Sequence, residues 1–311
     1  MTDAPGTTIP VVLIVFNRPE PTRRVFEAIA KARPSRLLVI ADGPRLDRRG
    51  ESDRCADVRQ IVSSVDWPCK VVTNFAAENM GCRRRVISGL NWVFSLVEEA
   101  IILEDDCLPD QSFFRYCTEL LARYRENRQI GMIAGFNFEG SFRHPSSYYF
   151  SSLVPIWGWA TWRRSWQQYE EEMKGWPEAR RSGMLRRLFP DGRVVAYWEK
   201  MFDGMVDGTG PNTWDYQWVY TSWTRNWLNI VPATNLIQNI GFGDDATHTR
   251  KSDPLATIRA DTMHFPLRHP STIETWQART MKLQKKACVP SFLKKLKRKI
   301  SAALMSRLST L

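Results

Sequence analysis

The sequence predicts an α/β protein with a Rossmann-like, mixed but mostly parallel sheet, on three observations. The first part of the chain alternates short apolar, β-branched runs with amphipathic segments, which is the pattern of strands joined by crossover helices. Hydrophobic residues make up 43% and charged residues 25% of the 311 residues, as in ordinary globular proteins, which excludes wholesale disorder. No stretch has the roughly 18 to 20 consecutive apolar residues that a membrane-spanning helix needs.

The strands and helices alternate in chain order. The predicted strands are Val11–Phe16, Leu37–Ile40, Val71–Thr73, Ala100–Leu103 and Ile130–Ala134. The predicted helices are at about Thr22–Ala32, Arg54–Ser64, Arg83–Val97 and Gln111–Glu126. Parallel sheets bind ligands at the carboxyl ends of their strands, so the polar residues that follow each apolar run are the candidate functional residues.

Composition divides the rest of the chain. Ten of the 13 Trp lie between Trp157 and Trp227, and we predict a second half of the same domain over residues 139–274, after a first half over residues 1–138. From Thr275 to Leu311 there are ten Lys and Arg and no acid, which leaves 34 basic and 33 acidic side chains elsewhere. The net charge of +11 therefore belongs to the tail at 275–311, and the sequence predicts no nucleic-acid-binding face on the body.

The beginning of the sequence and the cysteines predict a cytoplasmic protein. The first ten residues carry an acid and no apolar segment of the kind found in secretory signals. The six Cys are scattered, without C-x-x-C pairs, and are interpreted as mostly reduced thiols.

The strongest local signal is the acidic triplet Glu104–Asp105–Asp106, directly after an apolar strand. Three adjacent carboxylates at the end of a buried strand repel one another unless a cation neutralises them. Carboxylate oxygens suit Mn²⁺ or Mg²⁺, and such an ion would in turn bind a diphosphate. The alternative for an isolated triplet is a solvated acidic turn at the end of a strand.

Six segments taken together resemble the nucleotide-sugar-dependent glycosyltransferases of the GT-A fold. They are FNRPEPTRR, IADGPR, AIILEDDCLPDQSFFRY, WGWATW, TWDYQW and GFGDDATHT. Their layout is similar to that of N-acetylglucosaminyltransferase I and of bacterial glycosyltransferase-like proteins with the same EDD core. The resemblance runs from about Val11 to His248 and implies that residues 1–138 bind a nucleotide sugar and residues 139–274 bind the acceptor.

On the donor side, the resemblance implies that Asn17 and Arg18 bind the nucleotide sugar, with Arg18 approaching the phosphates. Asp42 would accept a hydrogen bond from a uracil ring or ribose. The alternatives are a surface arginine at a turn for Arg18 and an ordinary Asp-Gly turn for Asp42. The loop Asn79–Cys82 before the third helix is interpreted as structural, although its amides are placed to face an anion.

The resemblance also assigns the metal. Asp106 would be the direct ligand of Mn²⁺ or Mg²⁺, Asp105 would meet the ribose, and Glu104 would support the site from behind. His248 falls where many enzymes of this fold return a residue to the metal or diphosphate. The alternative for a lone His is an ordinary hydrogen-bonded side chain.

On the acceptor side, Asp215 in the segment Thr213–Trp218 is the candidate general base of an inverting mechanism. The alternative is an Asp that caps a helix. The family often has two adjacent acids here, whereas this chain has Tyr216 after Asp215. Trp157 and Trp159 are the candidate platforms for sugar rings, although most large aromatic side chains lie in protein cores.

The sequence therefore predicts a metal-dependent, inverting transferase that moves a sugar from a nucleoside diphosphate, by resemblance UDP, to a glycan or lipid-linked acceptor. A nucleotidyltransferase is the first alternative, but its Gly-rich phosphate loop is missing at Phe16–Pro19. The second is a catalytically silent carbohydrate-binding protein, which need not keep acids at both 104–106 and 215. A retaining mechanism stays open.

The basic tail predicts a peripheral membrane contact. Apolar residues recur at three- and four-residue spacing from Phe292 to Leu311, beside a Lys- and Arg-rich face. Such a helix suits the anionic inner face of the cell membrane. The alternative is a terminal helix that docks on the body of the protein.

Overall fold

The computed structural model describes residues 7–242 and 254–288. The strands, in chain order, are β1 (Val11–Val15), β2 (Arg36–Ala41), β3 (Lys70–Phe75), β4 (Glu99–Glu104), β5 (Cys107–Pro109), β6 (Ile130–Ala134), β7 (Tyr148–Ser151), β8 (Trp159–Trp162), β9 (Leu228–Pro232) and β10 (Ile237–Asn239). The helices are α1 (Pro19–Ala32), α2 (Glu51–Ser63), α3 (Cys82–Leu96), α4 (Ser112–Tyr124), α5 (Arg163–Trp166), α6 (Trp176–Arg181), α7 (Met184–Leu188), α8 (Gly192–Val206), α9 (Asp215–Thr224) and α10 (Gln277–Cys288).

Two compact units share the chain. The first comprises Met1–Met173 and Asn212–Trp276, and the second comprises Lys174–Pro211 and Gln277–Leu311. Residues 7–138 and most of the predicted second half therefore belong to one unit, while the segment from 174 to 211 and the helix α10 belong to the other.

The first unit contains an eight-stranded sheet in the order β3-β2-β1-β4-β8-β6-β9-β7. The pairs β3–β2, β2–β1, β1–β4 and β6–β9 are parallel, and the other three are antiparallel. Crossover helices join the parallel strands β1, β2, β3 and β4, as the alternating pattern predicts. The predicted α/β fold class, with a Rossmann-like, mixed and mostly parallel sheet, is confirmed.

Successive side chains of the central strands enter two different cores, because a strand presents alternate residues to opposite faces. Leu13 and Leu103 pack in the core that also holds apolar residues of α1, α2 and α4. Ile14 and Ile102 pack on the other face, in the core that α3 and five of the buried Trp complete. Burial on both faces explains why these strands are continuous apolar runs.

The second unit packs short helices around α8. Trp198 of α8 donates a hydrogen bond from Nε1 to Gln284 Oε1 of α10 at 3.2 Å, and Phe202 contacts Trp176 with ring centroids 5.0 Å apart. In sequence this unit has 17 Lys and Arg against 5 Asp and Glu, a formal net charge of +12, whereas the first unit has 27 against 28. Residues 277–311 account for +10 of this charge and residues 174–211 for only +2, so the positive charge of the second unit lies mainly in the tail.

Several predictions about the rest of the chain have structural outcomes. Nine of the ten Trp between Trp157 and Trp227 are buried. The five cysteines from Cys55 to Cys117 form no disulfide. No helix within the described ranges is long and apolar enough to cross a membrane. The predicted amphipathic tail helix beginning after Pro290 lies outside the described residues.

Candidate functional site

The carboxyl ends of β1, β2 and β4 meet at one edge of the sheet, because these strands are parallel neighbours in register. Ile14 of β1 aligns with Ile40 of β2 and with Glu104 of β4. Asp42 directly follows β2, Arg18 lies three residues after β1, and the acidic triplet begins with the last residue of β4. The structure therefore brings together the donor-side residues that the sequence predicted.

Arg18 joins β1 to the acidic triplet. Its Nη2 donates to Asp105 Oδ1 in a short contact and to Asp106 Oδ2 at 2.9 Å. The side chains of Asp105 and Asp106 are 5% and 14% exposed, and that of Arg18 is 21% exposed. Burial disfavours the charged form of Arg18, but the charges of Asp105 and Asp106 outweigh this and raise its pKa. Arg18 is thus a partly buried counter-ion of two carboxylates.

The triplet has more negative charge than Arg18 neutralises. Burial, reinforced by the charges of Asp106 and Asp105, raises the pKa of Glu104 to about 8. Burial also raises the pKa of Asp105 to about 6, against the opposing effect of Arg18. An added cation would lower both pKa values, because it stabilises the charged carboxylates that burial and mutual repulsion disfavour.

A divalent metal ion fits the donor chemistry of this triplet. Carboxylate oxygens are the ligands that Mg²⁺ and Mn²⁺ prefer, and Mg²⁺ is commonly held by one or two carboxylates with substrate phosphates. Within residues 7–242 and 254–288, no three His, Cys, Asp or Glu side chains are arranged to hold a metal ion. Asp106 would therefore need a phosphate, water or a further residue to complete the coordination. His248, predicted for this role, lies outside the described residues.

A two-stranded ladder brings the chain before His248 to the triplet. β10 pairs with β5 in antiparallel fashion, and Ile240 N donates to the carbonyl oxygen of Asp106 at 2.8 Å. A Cβ atom on Gly241 would lie 2.1 Å from Asp106 Oδ2, so only glycine fits without a shift. The chain therefore passes Asp106 shortly before it reaches His248.

Asp42 uses its carboxylate within the protein. It accepts hydrogen bonds from the backbone N–H groups of Gly43, Met80 and Gly81 and from Asn79 Nδ2, at 2.9 to 3.1 Å. Asp42 is buried, with 5% of its surface exposed. A Cβ on Gly43 would lie 2.4 Å from the backbone of Glu78, so this turn requires glycine. Asp42 thus fixes the loop before α3, and the structural interpretation of Asn79–Cys82 agrees with these contacts.

Asn17 is held by a residue that sequence reasoning missed. Asn17 Nδ2 donates to Glu51 Oε2 at 2.8 Å, and Arg45 donates to the same carboxylate from its backbone N, Nε and Nη2. Glu51 is fully buried. Hydrogen bonds from the Arg45 side chain outweigh burial and lower the pKa of Glu51 to about 2. Glu51 therefore links the loop after β1 to the loop after β2.

Replacing Glu51 by Gln is expected to destabilise the fold by about 1 to 2 kcal/mol, because charge-assisted hydrogen bonds are lost at a buried position. Since the pKa of Glu51 is lowered from 4.5, its contribution is complete at neutral pH and is lost as the pH falls from about 4.5 towards 2. Urea unfolding of wild type and variant at pH 7 and pH 3 measures this. An equal difference in the free energy of unfolding at both pH values would contradict it.

Two arginines that the sequence analysis did not identify donate hydrogen bonds to backbone carbonyl groups at the carboxyl ends of β2 and β3. Arg85 is 4% exposed and donates to the carbonyl oxygens of Ala41 and Asn74. Arg59 Nη2 donates to the carbonyl oxygens of Asp42 and Ala76 at 3.2 and 2.7 Å. Burial lowers the pKa of Arg85, and the charge of Asp42 opposes this. A buried Arg in a helix looks like any other basic residue in sequence, so no pattern distinguished it.

Asp215 lies in the first turn of α9, close to the acidic triplet. Thr213 Oγ1 donates to Asp215 Oδ1 at 2.6 Å. The charge of Asp215 contributes to the raised pKa of Glu104, after burial and the charges of the other two acids of the triplet, so the carboxylates lie near one another. Trp214, which precedes Asp215, stacks on Trp159 with ring centroids 5.5 Å apart. A carboxylate in the first turn of a helix is also favoured by the helix dipole.

The two predicted sugar platforms have different environments. Trp159 is a core residue: it is 1% exposed in β8, and its ring packs among Trp166, Trp214 and Trp218. This burial is a correction to its predicted contact with acceptor, because a sugar cannot stack on a ring that has no exposed face. Trp157 is half-buried and contacts Phe136 and Phe242, with centroids 4.5 and 5.8 Å away.

No protein-family model matches the chain, and no curated protein sequence is similar to it. Among solved structures, the chain is similar to a mannosyltransferase from Pyrobaculum calidifontis in complex with GDP-Man and Mn²⁺. The match has 10% sequence identity and a TM-score of 0.33, and it covers 52% of this chain and 46% of that one.

Proposed function

We propose that this chain is a metal-dependent glycosyltransferase that uses a nucleoside diphosphate sugar, with UDP favoured by the family resemblance. The acceptor is a glycan or a lipid-linked glycan, and the transfer inverts the anomeric centre. The observation that carries the proposal is the position of the acidic triplet at the carboxyl end of β4, with Arg18 against it and Asp215 nearby.

Each residue has a task that follows from its position. Arg18 provides positive charge for the diphosphate at the end of β1. A divalent ion bound at Asp106 would neutralise the departing diphosphate. Asp215 removes the proton of the acceptor hydroxyl as the oxygen of that hydroxyl attacks the anomeric carbon. Asp42 and Glu51 act indirectly, because their oxygens hold the loops that surround the site.

A screen of nucleotide sugars, with and without Mn²⁺ or Mg²⁺, tests the proposal. We expect transfer or slow hydrolysis of at least one donor, dependent on the metal. Anomeric analysis of the product separates inversion from retention. A complete lack of binding to every nucleotide sugar, with and without metal, would overturn the proposal.

The burial of the Trp cluster argues against a purely carbohydrate-binding protein. Such a protein needs exposed aromatic faces, whereas nine of these ten Trp are buried. A protein that only binds carbohydrate would also not require the acidic triplet. A nucleotidyltransferase stays the competitor within enzymes, and release of free diphosphate from a nucleoside triphosphate would support it.

We further propose that the enzyme acts in the cytoplasm at the inner face of the cell membrane. The second unit has the formal charge of +12, and each Lys or Arg near an anionic surface contributes about 1 kcal/mol. We propose no binding of nucleic acid, since the first unit is almost neutral.

Removal of the residues after Cys288 is expected to weaken binding to anionic vesicles, because it deletes six Lys and Arg and no acid. Co-sedimentation of the full and shortened chains, with vesicles of increasing anionic-lipid content, measures the effect at low salt. Zwitterionic vesicles are the control. Equal binding of the two chains, or none by either, would exclude the tail as the anchor.

A further inference from the structure

We propose that Arg18 competes with the divalent cation for Asp106, so that the metal binds tightly only when a nucleoside diphosphate draws Arg18 away. This inference rests on the proposed function, and it concerns the order of events at the same site. It makes metal and nucleotide binding mutually dependent through one side chain of the protein.

The contacts of Arg18 carry the first step. Its Nη2 atom contacts Asp105 Oδ1 and lies 2.9 Å from Asp106 Oδ2, so one guanidinium nitrogen bridges both carboxylates. The side chain of Asp106, the proposed metal ligand, is only 14% exposed. A cation that approaches Asp106 Oδ2 therefore meets a positive charge already in contact with that oxygen.

Gly241 narrows the approach further. A Cβ atom placed on Gly241 would lie 2.1 Å from Asp106 Oδ2 and 2.9 Å from Arg18 Nη1. The backbone thus packs against the ion pair on this side. A metal ion that binds Oδ2 would have to displace Arg18 from its contact with this oxygen.

A diphosphate offers Arg18 a better partner. Guanidinium groups bind phosphate oxygens through paired hydrogen bonds. A nucleoside diphosphate also carries at least as much negative charge as the two carboxylates that Arg18 would leave. Arg18 is a long, 21% exposed side chain at the edge of the sheet, so it can turn without a change in the fold. The freed oxygen of Asp106 and the phosphates then share the metal.

Titration of Mn²⁺ by calorimetry, with and without UDP, tests this. We expect wild type to bind Mn²⁺ weakly alone and about 10-fold or more tightly with UDP, within the usual range of coupling between sites. Arg18→Gln should bind Mn²⁺ about 10-fold more tightly than wild type without nucleotide, because a positive charge is removed from Asp106. UDP should then tighten Mn²⁺ binding by a smaller factor than in wild type, because the phosphates still bind the ion but no longer have to draw Arg18 away. Arg18→Lys, which keeps the charge, should retain weak binding.

Arg125→Gln is the matched control. Arg125 also pairs with a carboxylate of β4, at Glu99 with distances of 2.6 and 3.0 Å, but at the opposite end of the strand. The Arg125→Gln variant should bind Mn²⁺ with the affinity of wild type. Circular dichroism verifies that each variant is folded, and if Arg18→Gln is not, Arg18→Met serves in its place.

The outcomes separate this inference from the proposed function. Equal Mn²⁺ affinity of Arg18→Gln and wild type without UDP would overturn the competition but leave a metal-dependent transferase intact. Tight Mn²⁺ binding by wild type without nucleotide would overturn it as well. If no chain binds Mn²⁺ even with UDP, the metal-dependent function itself fails, and the competition fails with it.

Discussion

Asp215→Asn is expected to reduce sugar transfer by about 10² to 10⁴, because an amide cannot accept the proton that a general base removes. Binding of the nucleotide should change little, since Asp215 lies in the first turn of α9 and not on β1, β2 or β4. The hydrogen bond from Thr213 can persist to the amide oxygen, so the fold is preserved. Initial rates and nucleotide affinity, measured on the same preparation, give both numbers.

Asp66→Asn is the matched control for this substitution. Asp66 is exposed and precedes β3, so it lies towards the amino end of that strand, away from the candidate site. Its variant should transfer at the rate of wild type. Near-wild-type turnover in Asp215→Asn would contradict the assignment of the base, and would direct attention to Tyr216 or to a retaining route.

The sheet and the donor-side edge were predictable because burial on both faces leaves a strong signal. β6 occupies the predicted range Ile130–Ala134, and β1 and β4 differ from the predicted strands by one or two residues. Once strands are parallel neighbours, the residues that follow them must lie close together. This is why the sequence alone predicts that Arg18 and the acidic triplet lie close together.

β8 was not predicted as a strand, because its signal is ambiguous. The segment Trp159–Trp162 is only four residues long and contains two Trp. Such a segment is consistent with either a ligand platform or a core. The pairing of β8 between β4 and β6 makes it an inner strand of the sheet, and its burial in both cores shows that both of its faces are covered. Trp159 faces the core with α3, whereas Trp162 faces the opposite core.

The supporting network around the site was not predictable from local sequence. Glu51 looks like an ordinary charge at the start of a helix, and Arg85 is one of three consecutive arginines. Their burial depends on how α2 and α3 pack against the sheet, which is a long-range property. Asp42 was identified as a site residue, but its hydrogen bonds show that it fixes a loop of the protein.

Asp106→Ala is expected to abolish the dependence of nucleotide binding on Mn²⁺. The variant lacks the carboxylate proposed to hold the ion, while Arg18 keeps its contact with Asp105 and can still bind phosphate. The free energy of unfolding should change by less than about 1 kcal/mol, because the lost hydrogen bond to Arg18 is offset by reduced repulsion within the triplet. Calorimetric titration of UDP with and without Mn²⁺ measures the coupling, and urea unfolding measures stability.

Asp57→Ala, at an exposed carboxylate of α2, is the control and should keep the full effect of Mn²⁺ on UDP affinity. Persistence of that effect in Asp106→Ala would show that the metal is held elsewhere. The affinity for UDP without metal is equally informative, because it isolates the phosphate contact of Arg18. If Asp106→Ala raises this affinity, the guanidinium was restrained by Asp106, as the competition requires. If the affinity falls in both the presence and absence of Mn²⁺, Asp106 positions Arg18 for the phosphates and does not hold the ion.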